Sequence, residues 1–173
     1  MMQWDFRMSS DIRLILKLPD QFNVGVLRSV VPEMVTAVYQ QPKSLREIVA
    51  SSGNSYKTIE REFRENIDCF PSNFLNILRV GVCGALLLWH NELSIDGIAS
   101  VCGFSTGITL RRQFKRLTGI NPTEFKQVVE GGDRLPSMDF GRLKIRWNIP
   151  RIIRYNASGT VETPLTYIVS WQG

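Results

Sequence analysis

The chain has 173 residues, 43% of them hydrophobic and 21% charged, a balance that excludes wholesale disorder. A formal charge of +5 and a pI near 9.4 permit a polyanionic partner without demanding one. Cysteines at only three scattered positions, 69, 83 and 102, argue against a disulfide framework and for a reducing, cytoplasmic setting.

The N-terminal stretch carries Asp5 and Asp11 and lacks the basic, apolar, small-residue order of a signal peptide. No uninterrupted apolar run approaches the roughly 20 residues that span a bilayer, so no membrane partner is expected. Residues 1–31 show no sustained period and no clear domain, although Ile15–Phe22 reads as a short strand and turn. A helix is expected from Pro32 to Gln41, because proline suits the first helical position and Val35, Val38 and Tyr39 recur at helical spacing. Pro42 ends it.

A helix-turn-helix pattern follows. Ser44 and Glu47 have the spacing of a capping box, and Leu45, Ile48 and Val49 form one apolar side. Ser51–Asn54 supplies the turn, and Ser55 caps a second helix in which Ile59 and Phe63 share a face. At about 100° per residue, Lys57, Arg61 and Arg64 lie opposite that pair, with Glu60, Glu62 and Glu65 on the flanks. Pro71 then opens a long helix to about His90, with a stripe of Phe74, Leu75, Leu78, Val82, Leu86 and Trp89. Gly81 and Gly84 each weaken it by up to about 1 kcal/mol relative to alanine, which calls for a closely packed neighbour.

The pattern repeats from Ser94 to Phe125. Ser94 caps a short helix with Ile95, Ile98 and Ala99 inward; Cys102-Gly103-Phe104 makes a tight turn. The next helix carries Leu110, Phe114 and Leu117 on one side and Ile108, Arg112, Lys115 and Arg116 on the other. Asn121, Pro122 and Glu124 start a last short helix. Beyond Gly131-Gly132 the chain turns β-branched and aromatic, with alternation over Leu143–Trp147, a turn signal at Asn156–Gly159 and a second β-rich run at Pro164–Trp171. A hairpin or strand pair is expected there. It should pack on the helical body, pair with another chain or remain loose, since an isolated hairpin is marginal in water.

Gly103-Phe104-Ser105, Leu110, Arg112, Phe114-Lys115, Gly119, Pro122 and Phe125 closely resemble the second helix-turn-helix of AraC/XylS-type transcription regulators. Leu45, Ala50, Ser55, Arg61, Phe63, Pro71 and Arg79 look like the first unit and the start of the connecting helix, with Asp68 standing where the family usually has glycine and Phe70 where it has a small residue. The resemblance covers residues 32–129. It implies an all-α fold: helix-turn-helix subdomains at 32–70 and 94–129 joined by a long connecting helix at 71–93, to which the residues themselves add a β-prone extension at 130–173.

It also implies double-stranded DNA as partner, with each unit's second helix in the major groove and RNA polymerase a candidate further contact. Carried over by position, Lys57, Glu60 and Arg61 in the first unit and Gly107, Ile108, Thr109 and Arg112 in the second would face bases. The helical wheel independently turns Lys57, Arg61, Ile108 and Arg112 outward. Arginine can bond guanine bidentately, glutamate can accept from cytosine, and Ile108 or Thr109 can meet a thymine methyl. Arg64, Arg111, Lys115 and Arg116 suit phosphates, which set register but not sequence.

No cofactor or metal is expected. His90, Cys83 and Cys102 lack paired ligand spacing, and no nucleophile elbow, Walker loop or dinucleotide fingerprint occurs, so no enzymatic activity is expected. Ser44, Ser55 and Ser94 read as caps rather than nucleophiles. A rival reading is a protein-interaction module that kept the fold and lost strong DNA binding, motivated by the acidic first recognition helix. The expected state is a monomer or weak dimer, either a stand-alone DNA-binding form or a piece of something longer.

Overall fold

The computed structural model describes residues 1–7, 13–89, 92–131, 135, 138–148, 157 and 165–172. Seven helices and five strands are present among them. Strands β1 (Met2–Arg7) and β2 (Arg13–Leu18) lead through a short 3-10 turn, Asp20–Phe22, into α1 (Leu27–Tyr39). Helix α1 begins five residues earlier than the proline alone would place it, and Pro32 lies inside it. Burial of Leu27, Val30, Val31 and Met34 carries the helix through the missing proline N–H.

The capping chemistry read from the sequence sets the next boundaries. Helix α2 (Leu45–Ser52) opens on the complete Ser44–Glu47 capping box, and α3 (Tyr56–Ile67) opens on Ser55, whose hydroxyl accepts from the Thr58 N–H. The connecting helix α4 runs Pro71–Trp89. Ser94 caps α5 (Ile95–Val101), Thr106 caps α6 (Gly107–Thr118), and a second complete capping box, Asn121–Glu124, opens α7 (Pro122–Glu130). By length and composition α4 could cross a membrane, yet 72% of that window is buried in the protein, which is the environment its apolar surface serves.

The fold is mostly helical but not all-α. Strands β3 (Met138–Phe140), β4 (Leu143–Asn148) and β5 (Leu165–Trp171) join β1 and β2 in one sheet, ordered β1-β2-β5-β4-β3. The β2–β5 pair is parallel, with Leu16 opposite Tyr167, and the other pairs are antiparallel. The N-terminal segment, read as having no clear domain, and the β-prone C-terminal segment therefore build one element together. The turn signal at 156–159 lies outside the described residues, Ala157 apart, as does His90.

This sheet lays Leu14, Leu16, Leu18, Leu143, Ile145, Tyr167 and Val169 into the core, each such side chain contributing about 1.5–3 kcal/mol on burial. Tyr167 Oη donates to the Ile77 carbonyl of α4 at 2.9 Å. The helix glycines explain themselves here: a Cβ at Gly81 would come within 2.8 Å of the Tyr167 ring, and one at Gly84 within 2.2 Å of Trp147. Phe6 of β1 stacks on Tyr39 of α1 at 4.3 Å, closing the other side.

Candidate nucleic-acid interface

Aromatic packing holds each helix-turn-helix unit in place, the first against α4 and the second against α7 and the sheet. In the first, Phe63 of α3 meets Phe74 at 5.5 Å, and Phe22 stacks on the same ring at 4.7 Å. In the second, Phe114 of α6 meets Phe125 of α7 edge-on at 5.2 Å, and Phe125 in turn meets Trp147 of the sheet. The inner faces of α3 and α6 are thus fixed, and their outer faces are left to solvent.

Helix α6 carries four cations and no carboxylate. Arg111, Arg112 and Lys115 are exposed and, among the described residues, their side chains hydrogen bond or pair with nothing. Ile108, in the first turn, is 75% exposed, on the outward side where helical spacing puts it. Thr109 is half-buried, its N–H held by the Thr106 hydroxyl at 3.1 Å. Gly107 is different. It is buried, its N–H donates to Asp96 Oδ1 at 2.8 Å, and a Cβ there would strike that carboxylate at 2.5 Å. Its place in the structure is the joint between α5 and α6. Arg116 is also engaged, Nη2 donating to Asn73 Oδ1 of α4 at 3.0 Å and Nε to Gln113 at 2.9 Å.

Helix α3 is more mixed. Lys57 and Arg64 are exposed, and Arg61 keeps 60% of its side chain in solvent beside Glu62 at 3.7 Å. Arg64 lies over the Phe70 ring at 5.5 Å, so the bulky residue that departs from the family pattern becomes a shelf for a cation. Glu60 is half-buried. Glu62 turns toward Gly25, where an added Cβ would come within 2.6 Å of its carboxylate, and accepts from Asn66 Nδ2 at 3.5 Å. Of the three glutamates that motivated the interaction-module reading, Glu62 is thus turned inward, Glu60 is half-buried and Glu65 is exposed. Tyr56, 42% exposed at the first position of α3, was missed, although its place one residue after the Ser55 cap was the available signal.

Asp68 closes α3 in the left-handed conformation, φ 56°, as Gly119 closes α6 at φ 78°. Aspartate is one of the few side chains that visit this region, so the first unit keeps the geometry that glycine gives the second.

Two helix-turn-helix units hung on one long helix are the class of structure present. Residues 48–127 match the family model described as a helix-turn-helix domain. This part of the chain is similar to the DNA-binding domains of AraC-type regulators. Among curated relatives, the HTH-type transcriptional regulator GbdR of Pseudomonas aeruginosa is 29% identical over 94 residues, covering 54% of this chain and 25% of GbdR. The regulator RipA of Corynebacterium glutamicum is 33% identical over 82 residues, covering 47% and 24%. The chain thus spans about a quarter of the length of these relatives.

Similar solved structures include two with DNA-binding domains of this kind. One is an AraC-type transcriptional regulator from Chromobacterium violaceum, 27% identical with a TM-score of 0.52, over 60% of this chain and 90% of that one. The other is the DNA-binding domain of the global transcriptional factor AdpA in complex with a target DNA, 26% identical with a TM-score of 0.54, over 63% and 96%.

Proposed function

We propose that the chain is a sequence-specific DNA-binding transcription regulator that inserts α3 and α6 into successive major-groove segments of one duplex face, about 34 Å apart. The observation that carries this reading is the outer face of α6, where three unpartnered cations surround an exposed isoleucine and no carboxylate opposes them. Solvated cations of this kind gain from phosphate by releasing its counterions. Arg112 and Ile108 are the base readers in this reading, with Thr109 beside them; Arg111 and Lys115 hold the backbone. In the first unit Lys57 and Arg61, with Tyr56 and the half-buried Glu60 near them, face bases, and Arg64 holds phosphate.

Selection of bound duplexes from a random library, followed by anisotropy titrations at several salt concentrations, tests it. The expected result is an asymmetric site with two blocks of preference one helical turn apart and affinity that falls steeply with salt. Binding with no preference and no salt dependence would sink the proposal.

A further inference from the structure

Arg79, midway along α4, touches both units. Its Nη2 donates at 3.2 Å to the carbonyl of Lys43, the residue just before the Ser44 cap of the first unit. Its guanidinium also lies over the Phe104 ring at 5.6 Å, in the turn of the second unit. Gly103 of that turn, at φ 82°, presses so close that a Cβ would come within 3.2 Å of Arg79 Nε. Nη1 reaches Asn76 of its own helix at 3.5 Å, and Nε is buried without a partner. Among the described residues no carboxylate neutralises the cation, and burial pulls its pKa below the ordinary value. For stability alone this is a poor choice, because a partly buried cation without a counter-ion bears a desolvation cost that no ion pair offsets. A planar fork that can donate on one edge and stack on one face is, however, suited to joining a carbonyl to an aromatic ring.

We infer that Arg79 is a positioning residue that locks the two helix-turn-helix units in one relative orientation on α4, and so sets how well both recognition helices engage a single duplex together. The inference rests on the two-unit DNA reading above. When two binding modules are linked, the gain from the second depends on how well the linkage presents it. Loosening the lock costs double-site binding and spares single-site binding.

The full site selected with the unaltered chain provides the probes: that duplex, versions with either half scrambled, and versions with one base pair added or removed between the halves. For Arg79→Met the expected result is roughly a 10-fold or greater loss on the full site, half-site affinities within about 2-fold of the unaltered chain, and a smaller penalty for altered spacing. Arg79→Lys, which cannot stack and fork at once, falls between. If the unaltered chain itself gains nothing from the second half, the two-unit reading fails first. If it gains and Arg79→Met retains both the gain and the spacing penalty, the lock is overturned. A DNA-free measurement covers the case in which Arg79→Met binds poorly everywhere. Spin labels on cysteines placed at exposed Glu65 of α3 and Gln127 of α7 should give a narrow distance distribution that broadens in Arg79→Lys. An unchanged width overturns the inference.

Discussion

Asp68 is, among the described residues, the sole non-glycine with positive φ, and it ends the helix expected to enter DNA. Its conformation costs less than it would for most side chains but more than for glycine. Asp68→Gly should therefore stabilise the fold by about 0.5 kcal/mol, read as a higher urea midpoint, provided φ at this position is a source of strain. No gain would mean that the aspartate's own contacts offset it. On the DNA side, Arg112→Ala should cost roughly 1–3 kcal/mol and relax preference at one base pair. An equal loss on every sequence would reassign it to phosphate. Lys115→Ala should weaken binding across all sequences and reduce the salt slope by about 1. An unchanged slope removes it from the backbone contacts.

Cys69 gives a residue-scale pH dependence. Burial, with the Asp68 charge beside it, pushes its thiol up from 9.0 to about 12. A folded value above the unfolded one means that the contribution is fully present below about pH 9 and is lost as pH rises towards 12. The urea midpoint should fall across that window, and Cys69→Ala should flatten the fall. A parallel fall in both proteins would place the alkaline sensitivity elsewhere.

Among elements, the sheet depends on α4 having two positions with no side chain. Gly84→Ala places a methyl against the Trp147 indole and should cost about 1–3 kcal/mol in thermal or urea unfolding. Wild-type stability would show that β4 can shift without loss. The helices were readable because their signals are local: Ser44, Ser55, Ser94 and Asn121 cap where their spacing said they would. The sheet was half readable. Alternation at Leu143–Trp147 announced a strand, whereas the alternation of Met2, Trp4 and Phe6, on the side that packs inward, is too short to read as a sustained period. What sequence pattern does not carry is the partner, since a strand's period of two says which face is apolar and nothing about what lies beside it. The site was legible to the same extent. Outward-facing Arg112 and Ile108 follow from helical spacing, whereas the engagement of Gly107 by Asp96 and of Arg116 by Asn73 depends on contacts between elements.

At the level of the whole molecule, charge is divided unequally between the units. Helix α6 has Arg111, Arg112, Lys115 and Arg116 with no acid, whereas α3 sets Lys57, Arg61 and Arg64 against Glu60, Glu62 and Glu65. Affinity should therefore reside mainly in the second unit. The double variant Arg111→Ala/Lys115→Ala should lose more binding, and more salt dependence, than Lys57→Ala/Arg64→Ala. The reverse order would make the first unit the anchor.

The parallel pairing of β2 with β5 brings Leu14–Lys17 beside Leu165–Ile168. During synthesis β1 and β2 emerge well before β5, so the free edge of β2 stays unpaired until β5 arrives. Until then Leu14, Leu16 and Leu18 have only β1 and the helices to shield them. The helical units, closed by local contacts, can form while translation continues; the sheet cannot. Assembly of this fold thus has a built-in order, in which the long-range pairing of β2 with β5, the slower and more aggregation-exposed step, follows the helices.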